Sequence, residues 1–231
     1  MKAYPEFFEG GAEEELKVSL EFLQSDEMAL ISQTSFLERL GLLGLASAFK
    51  PQRLLEVGRS RGGSTILLSF AVAESGGKMV SVDPNNPVCE HFINRNLRSK
   101  LEKRGVCFLD GMSPEVIGQA SQLVNGLFDF VFIDADHSYD AVVADLLGVL
   151  PYVEENGYIV MHDANYAGVW DAVQRVVSDT GITDCGLFCR DANRNYTHLQ
   201  SRGRPAVWGG LHLLRVTRSN WVRRLCLRWF R

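Results

Sequence analysis

LLEVGRSRGGST, residues 54–65, sets a short apolar run directly against a glycine, three polar residues, two further glycines and a hydroxyl pair. A buried strand that ends in bare backbone and then opens a helix leaves peptide N–H groups, and the positive end of that helix, facing whatever lies beyond the strand. The spacing of Gly58, Gly62 and Gly63 is not the Gly-x-Gly-x-x-Gly of nicotinamide binders, and no lysine follows to reach a triphosphate. A nucleoside without a pyrophosphate suits such a turn better, although glycine turns between strand and helix also serve packing alone.

Outward from this stretch, strand-like and helix-like runs alternate. RLLEVG, KMVSVD, VCFLD, FDFVFID and GYIVMHD read as strands, separated by STILLSFAVAES, PVCEHFINRNLRSKLEKR, SPEVIGQASQL and SYDAVVADLLGVLPYV, which carry helical periodicity. Near-continuous apolar strands alternating with helices predict an α/β fold, a doubly wound and mostly parallel sheet covered on both faces. A further helix, GVWDAVQRVVSD, precedes two more strand-like runs, ITDCGLFCR and AVWGGLHLLRV, with the polar loop DANRNYTHLQSRGRP, residues 191–205, between them. On the amino-terminal side EELKVSLEFLQ and MALISQTSFLERLGLLGLASAF predict a helical cap that stops at Lys50-Pro51. The expected organisation is a cap over residues 1–50, a main domain over 51–217 and a tail over 218–231.

The 231 residues, 46% of them hydrophobic, are enough for one sizeable core. No apolar run approaches the roughly 20 residues of a bilayer span, and the start MKAYPEFFEGG lacks the hydrophobic segment of a signal peptide, so a cytoplasmic location is expected. The five cysteines are odd in number and unpatterned, which argues against a disulfide framework. The net charge of -4 hides an asymmetry: residues 1–27 carry eight acids against two lysines, and residues 190–231 carry ten arginines against Asp191 alone. In the tail, Trp221, Val222, Leu225, Cys226, Trp229 and Phe230 share one half of a helical wheel and four arginines the other. That pattern suits peripheral membrane contact through 219–231, and equally suits packing on the sheet or in a homo-oligomer. Nucleic acid is not an expected partner, because the chain is net acidic and lacks a recognisable binding module.

Open sheets of this class bind ligands beyond the carboxyl ends of their strands, and every predicted strand end here carries polar chemistry. Glu56 and Gly58 end the first, with Ser60 in the loop and Ser64 and Thr65 on the helix that follows. Asp83 ends the second, placed as a ribose-binding acid would be. Asp110, Gly111 and Met112 end the third and offer an apolar side chain to an adenine ring. Asp134, Asp136 and His137 end the fourth, and His162 and Asp163 the fifth.

Taken together, EVGRSRGGST, SVDP, FDFVFIDADHSYDAVVADL and GYIVMHD resemble class I S-adenosylmethionine-dependent methyltransferases. Within them they look most like the branch of macrocin-type sugar O-methyltransferases and cephalosporin-hydroxylase-like proteins, related to catechol O-methyltransferases. The resemblance covers roughly residues 50–165. It implies a Rossmann-like sheet of seven strands whose last strand is antiparallel, and S-adenosyl-L-methionine as cofactor. Gly58, Gly62 and Gly63 would let backbone approach the methionine part, with Glu56 and Ser64 or Thr65 bonding its polar groups. Asp83 would take the ribose, and the turn from Asp110 to Ser113 would border the adenine. Relatives often read Gly-Asp-Ser there, where this chain has Gly111-Met112-Ser113, so the partner of the adenine amine stays open.

The implied reaction is methyl transfer to a hydroxyl of a small molecule, foremost a sugar or glycosylated natural product. Transfer needs alignment of an oxygen with the methyl group and a base or cation for the developing alkoxide. The resemblance places Mg2+ on Asp134 and Asp163, Asp134 also bordering the cofactor, with Asn165 or Asp136 as third ligand or no metal at all. His137 stands where catechol-type relatives carry their base, with His162 second; a helix-capping role for the turn is the alternative. His91, His198 and His212 have no comparable context. Two further readings stay open: a phenol methyltransferase with Tyr139, Tyr166 or Trp170 lining its mouth, and a nucleoside-binding or scaffold protein that has lost transfer.

Overall fold

The computed structural model describes residues 23–84, 92–189 and 200–217. Strands β1 (Arg53–Val57), β2 (Lys78–Asp83), β3 (Val106–Asp110), β4 (Phe128–Ile133), β5 (Val153–Met161), β6 (Thr183–Cys189) and β9 (Leu211–Arg215) form one seven-stranded sheet in the order β3-β2-β1-β4-β5-β9-β6. The first five are parallel, and β9 runs antiparallel to both neighbours. The chain order reverses between β1 and β4, and a crevice opens at such a switch point.

The apolar runs are continuous because both sheet faces are covered. Phe130 and Phe132 of β4 point to one core with Leu54 and Val160, while Val131 and Ile133 point to the other with Leu55 and Ile159. Phe128, Phe130 and Phe132 are fully buried, each stabilising the fold by roughly 1.5–3 kcal/mol. Helices α5 (Ile117–Leu123), α6 (Tyr139–Val149) and α7 (Ala167–Thr180) cover the Val131 side. Helices α1 (Asp26–Ser32), α2 (Phe36–Phe49), α3 (Gly63–Ser75) and α4 (Arg95–Lys103) cover the Phe130 side. The amino-terminal helices therefore share the core of the sheet, with Met28, Ile31, Leu42 and Ala46 packed beside Ile66 and Leu67 of α3.

Several elements differ from the expected ones for local reasons. The continuous helix expected over 28–49 is broken at Gln33–Ser35: Gln33 adopts a left-handed conformation, and Ser35 and Glu38 form a reciprocal capping box that starts α2 afresh. Arg39 reaches back across the break to the Thr34 carbonyl and the Ser32 hydroxyl. Helix α4 is capped at its start by Asn94, whose side chain accepts from Asn96 and Leu97 N–H; most of the expected run between Pro87 and this cap lies outside the described residues. Within the loop expected over 191–205, Gln200–Ser201 (β7) and Arg204–Pro205 (β8) pair as a small hairpin. Arg202 and Arg204 of this hairpin bind Asp171 on α7. The helical run at 14–22, the part of the polar loop over 191–199 and the basic tail at 218–231 lie outside the described residues. No helix of the described residues is long and apolar enough to cross a membrane.

Helix α1 lies on the start of α3 so closely that a Cβ on Gly63 would sit 2.3 Å from Ser32 Cα. Replacing Gly63 by alanine is expected to lower stability by about 1–3 kcal/mol, seen as a lower urea midpoint at unchanged slope. An unaltered midpoint would mean that α1 yields without loss.

Candidate active site

The loop after β1 is shaped by its neighbours. Gly58 has φ +94°, and a Cβ there would lie 2.0 Å from the Asp134 carbonyl oxygen, so only glycine lets the ends of β1 and β4 pass. Asp83 draws the loop toward β2, its Oδ2 accepting from Arg59 N–H at 2.8 Å and Ser60 N–H at 2.9 Å. The buried Arg59 guanidinium completes the tie, donating to the Ser81 carbonyl at 2.7 Å and to Asp110 Oδ1 at 3.0 Å. An arginine inside a glycine loop reads as solvated surface, and sequence reasoning passed over it.

Glu56, Ser64 and Thr65 bond one another, with Ser64 also bordering the larger of the site's two cavities. Glu56 is 0% exposed, and its carboxylate accepts from Ser64 at 2.5 Å, Thr65 at 2.7 Å and Ser81 at 2.5 Å. Burial pushes this carboxyl above the ordinary range against the pull of three hydroxyls. The group braces β1, α3 and β2 from within. Of the glycines expected to admit a ligand, Gly62 is occupied by Ile93, which its Cβ would meet at 2.7 Å, and Gly63 by Ser32. Gly58 alone of the three borders both cavities of the site.

The two cavities meet at Gly58, Ser60, Asp134 and Ala135. The smaller, about 390 Å³, is bordered by Asp83, the turn Gly111–Ser113 and the helical residues Ala141, Ala144 and Asp145. Met112, 65% exposed, presents its apolar side chain there. Asp110, also expected at this end, is engaged by Arg59. The larger cavity, about 810 Å³, runs from residues 29–35 past Glu38 to His137, His162, Asp163 and Trp208.

At its floor Asp134, His137, His162 and Asp163 bring one donor atom each within 4.8 Å of the others. His137 Nε2 lies 2.9 Å from Asp163 Oδ2 and 3.4 Å from Asp134 Oδ1. His162 Nδ1 lies 3.0 Å from Asp134 Oδ1, and its Nε2 lies 3.3 Å from Glu38 Oε1. The buried Nε2 atoms of both rings make no directed hydrogen bond. Asp163, held at φ +50°, accepts from Gly209 N–H. Glu38 accepts from Gly210 N–H at 2.5 Å and Ser35 N–H at 2.8 Å.

Three carboxylates thus surround two imidazoles. Burial disfavours charge on His137, but Asp134 and Asp163 outweigh it and raise the imidazole to about 9. Burial opposes charge on His162 likewise, and Asp134 and Asp163 again hold it well above the ordinary value. Asp134 shows the reciprocal effect: against burial, the two histidines hold its carboxyl well below the usual range. Sequence reading placed His137, His162, Asp134 and Asp163 near one another, and they are together. It missed Glu38, whose place in a Ser-x-x-Glu capping box accounts for it as helix chemistry alone.

The remaining candidates divide. Asp136 accepts from Ser138 N–H at 2.6 Å and stands outside the His–Asp cluster. Tyr166 stacks on Trp208 at 4.4 Å, and Trp208 meets the edge of His137 at 5.3 Å, an arrangement not anticipated for Trp208. Tyr139 lies under Arg202, and Trp170 against His212, which is paired with Asp184 at 2.6 Å. His91 and His198 lie outside the described residues.

Residues 55–164 match a family described as a methyltransferase domain. No curated protein matches the chain in sequence. The fold is shared with the O-methyltransferase from Bacillus cereus, solved with S-adenosylhomocysteine, at 20% identity and TM-score 0.58 over 86% of this chain and 90% of that one. It is shared also with TomG from Streptomyces achromogenes, an O-methyltransferase of tomaymycin synthesis solved with S-adenosylmethionine, at 17% identity and TM-score 0.62 over 84% and 91%.

Replacing Glu38 by glutamine keeps an acceptor for Gly210 and removes a charge that favours the His162 cation. The His162 titration followed by imidazole NMR is expected to move to lower pH. An unmoved His162 would show that Glu38 exerts no electrostatic hold on it.

Proposed function

We propose that this chain, which carries a methyltransferase domain over residues 55–164 in a class I methyltransferase fold, moves the methyl group of S-adenosylmethionine to a hydroxyl of a small molecule. The junction of the two cavities at Gly58 and Asp134 carries this reading. The smaller cavity takes the nucleoside, with Asp83 accepting from the ribose hydroxyls and Met112 against the base. The methionine part follows Gly58 and Ser60 toward the larger cavity, where the acceptor lies beside His137. Trp208, backed by Tyr166, gives that acceptor a flat wall, which suits the ring of a sugar or glycosylated natural product and equally a phenol.

Magnesium does not fit the donor set. Mg2+ takes carboxylate oxygens and waters in near-octahedral order, whereas two of the four groups here are imidazoles. Asp134 Oδ1 and Asp163 Oδ2 already face those rings, and Asp163 Oδ1 holds Gly209. The chemistry therefore falls to the side chains. S-adenosylmethionine, when bound, would supply an electrophilic methyl group whose carbon–sulfur electrons return to a neutral thioether; the protein is left to bring the acceptor oxygen to that methyl and to take its proton. The hydroxyl proton passes to the His137 imidazole. Asp134 and Asp163 stabilise the imidazolium that forms, and their fixed orientation spares the entropy of assembling the reactants.

His137 accepts a proton only in its neutral form, and its value of about 9 means that this form gains population as pH rises toward and past that value. The transfer rate is accordingly expected to climb with pH through about 9 and to flatten above it. His137→Ala is expected to lower kcat by about 10²–10⁴-fold while S-adenosylhomocysteine binds as before. Unchanged turnover would remove His137 as the base, and a wild-type protein that binds this ligand yet transfers to no hydroxylated acceptor would favour the scaffold reading. In calorimetric titration, Asp83→Ala is expected to weaken S-adenosylhomocysteine by tenfold or more, on the order of the loss of one charge-assisted hydrogen bond. Equal affinity in both proteins would refute the ribose assignment.

A further inference from the structure

Helix α6 buries Val142, Leu146 and Val149 along one stripe, and Asp145 occupies a position in the same stripe, 4% exposed. An acid among core positions of a helix is costly unless something satisfies it. Asp145 borders the smaller cavity beside the turn Gly111–Ser113, and Ala141 and Ala144 of the same helix line it with short side chains.

The protein itself supplies little to this carboxylate. Burial pushes it up to about 6; the Ser113 hydroxyl opposes the rise, and Asp136 and Glu115 add to it. Ser113 Oγ is nevertheless buried without a directed hydrogen bond. The result is a carboxylate charged at neutral pH, bordering a cavity and without an N–H donor among the described residues. The same turn offers the cavity Met112, whose side chain can cover a ring but cannot accept a hydrogen bond from a base amine of any strength.

We propose that Asp145 reads the adenine of the cofactor, its carboxylate accepting an N–H of the exocyclic 6-amino group while Met112 covers the ring. The inference rests on the nucleoside occupying the smaller cavity. It assigns base specificity to α6, which packs against the β3 turn at Gly148 and Pro114, and it explains why the helix carries an acid where its periodicity calls for an apolar residue. A ligand N–H also relieves the burial cost that the unliganded carboxylate carries.

The test is calorimetric, on the full chain, with two probes: S-adenosylhomocysteine and its 6-deamino analogue, in which purine replaces adenine. The wild type is expected to bind the adenine compound on the order of tenfold to a hundredfold more tightly, the range of a charge-assisted hydrogen bond. Asp145→Ala is expected to bring the two affinities together, and Asp145→Asn, which keeps the shape and a neutral acceptor, to give an intermediate ratio. A purely structural role for Asp145 would change both affinities alike and leave the ratio intact. Adenine and purine compounds bound equally by the wild type, or an undiminished ratio in Asp145→Ala, would overturn the proposal and leave the methyltransferase reading standing. No binding of S-adenosylhomocysteine to the wild type would overturn both.

Discussion

The close passage of β1 over β4 at Gly58 is the constraint on which the site depends. Parallel strands that leave a switch point in opposite directions open a crevice between their helices, and here the bare backbone of Gly58 brings the chain to the Asp134 carbonyl where any side chain would collide. Both cavities meet at that point. Asp83 then fixes the loop by two N–H bonds, and Arg59 ties it onward to β2 and β3, so three strand ends share one small frame.

Electrostatics divide the frame into two regions of different character. Around the larger cavity, carboxylates and imidazoles satisfy one another: Glu38, Asp134 and Asp163 hold two histidines as cations, and the histidines keep Asp134 ionised. Breaking one partner of such a buried set leaves the other uncompensated, which is more costly than never burying either. Around the smaller cavity Asp145 is an acid without that compensation. Glu38 also links the regions of the chain mechanically, since one carboxylate caps α2, holds Gly210 and faces His162.

Much of the fold was legible in the sequence, because central parallel strands are buried on both faces and so read as unbroken apolar runs such as FDFVFI. The strand-end residues His137, His162, Asp134 and Asp163 were legible for the same reason: once the strands are placed, their carboxyl ends must converge. Other features were not, because they depend on which neighbour packs where. Glu56 looks like a ligand-facing acid until the hydroxyls of Ser64, Thr65 and Ser81 close on it. Gly62 looks like part of a ligand cradle until Ile93 fills the space beside it, and Gly63 packs on Ser32 where it borders the larger cavity. Glu38 lies far from the strand ends in sequence, and its capping box already explains it locally. The break at Gln33–Ser35 was written in the same Ser35 and Glu38 pair, but an apolar period running through both helices masks it.

The most direct measurement is a crystal structure of the chain soaked with S-adenosylhomocysteine. The ribose is expected on Asp83, the adenine between Met112 and Asp145, and the sulfur at the junction by Gly58 and Asp134, facing His137. A nucleoside lodged in the larger cavity, or a ribose away from Asp83, would contradict the role of the Gly58 crossing as the point that joins a cofactor cavity to an acceptor cavity.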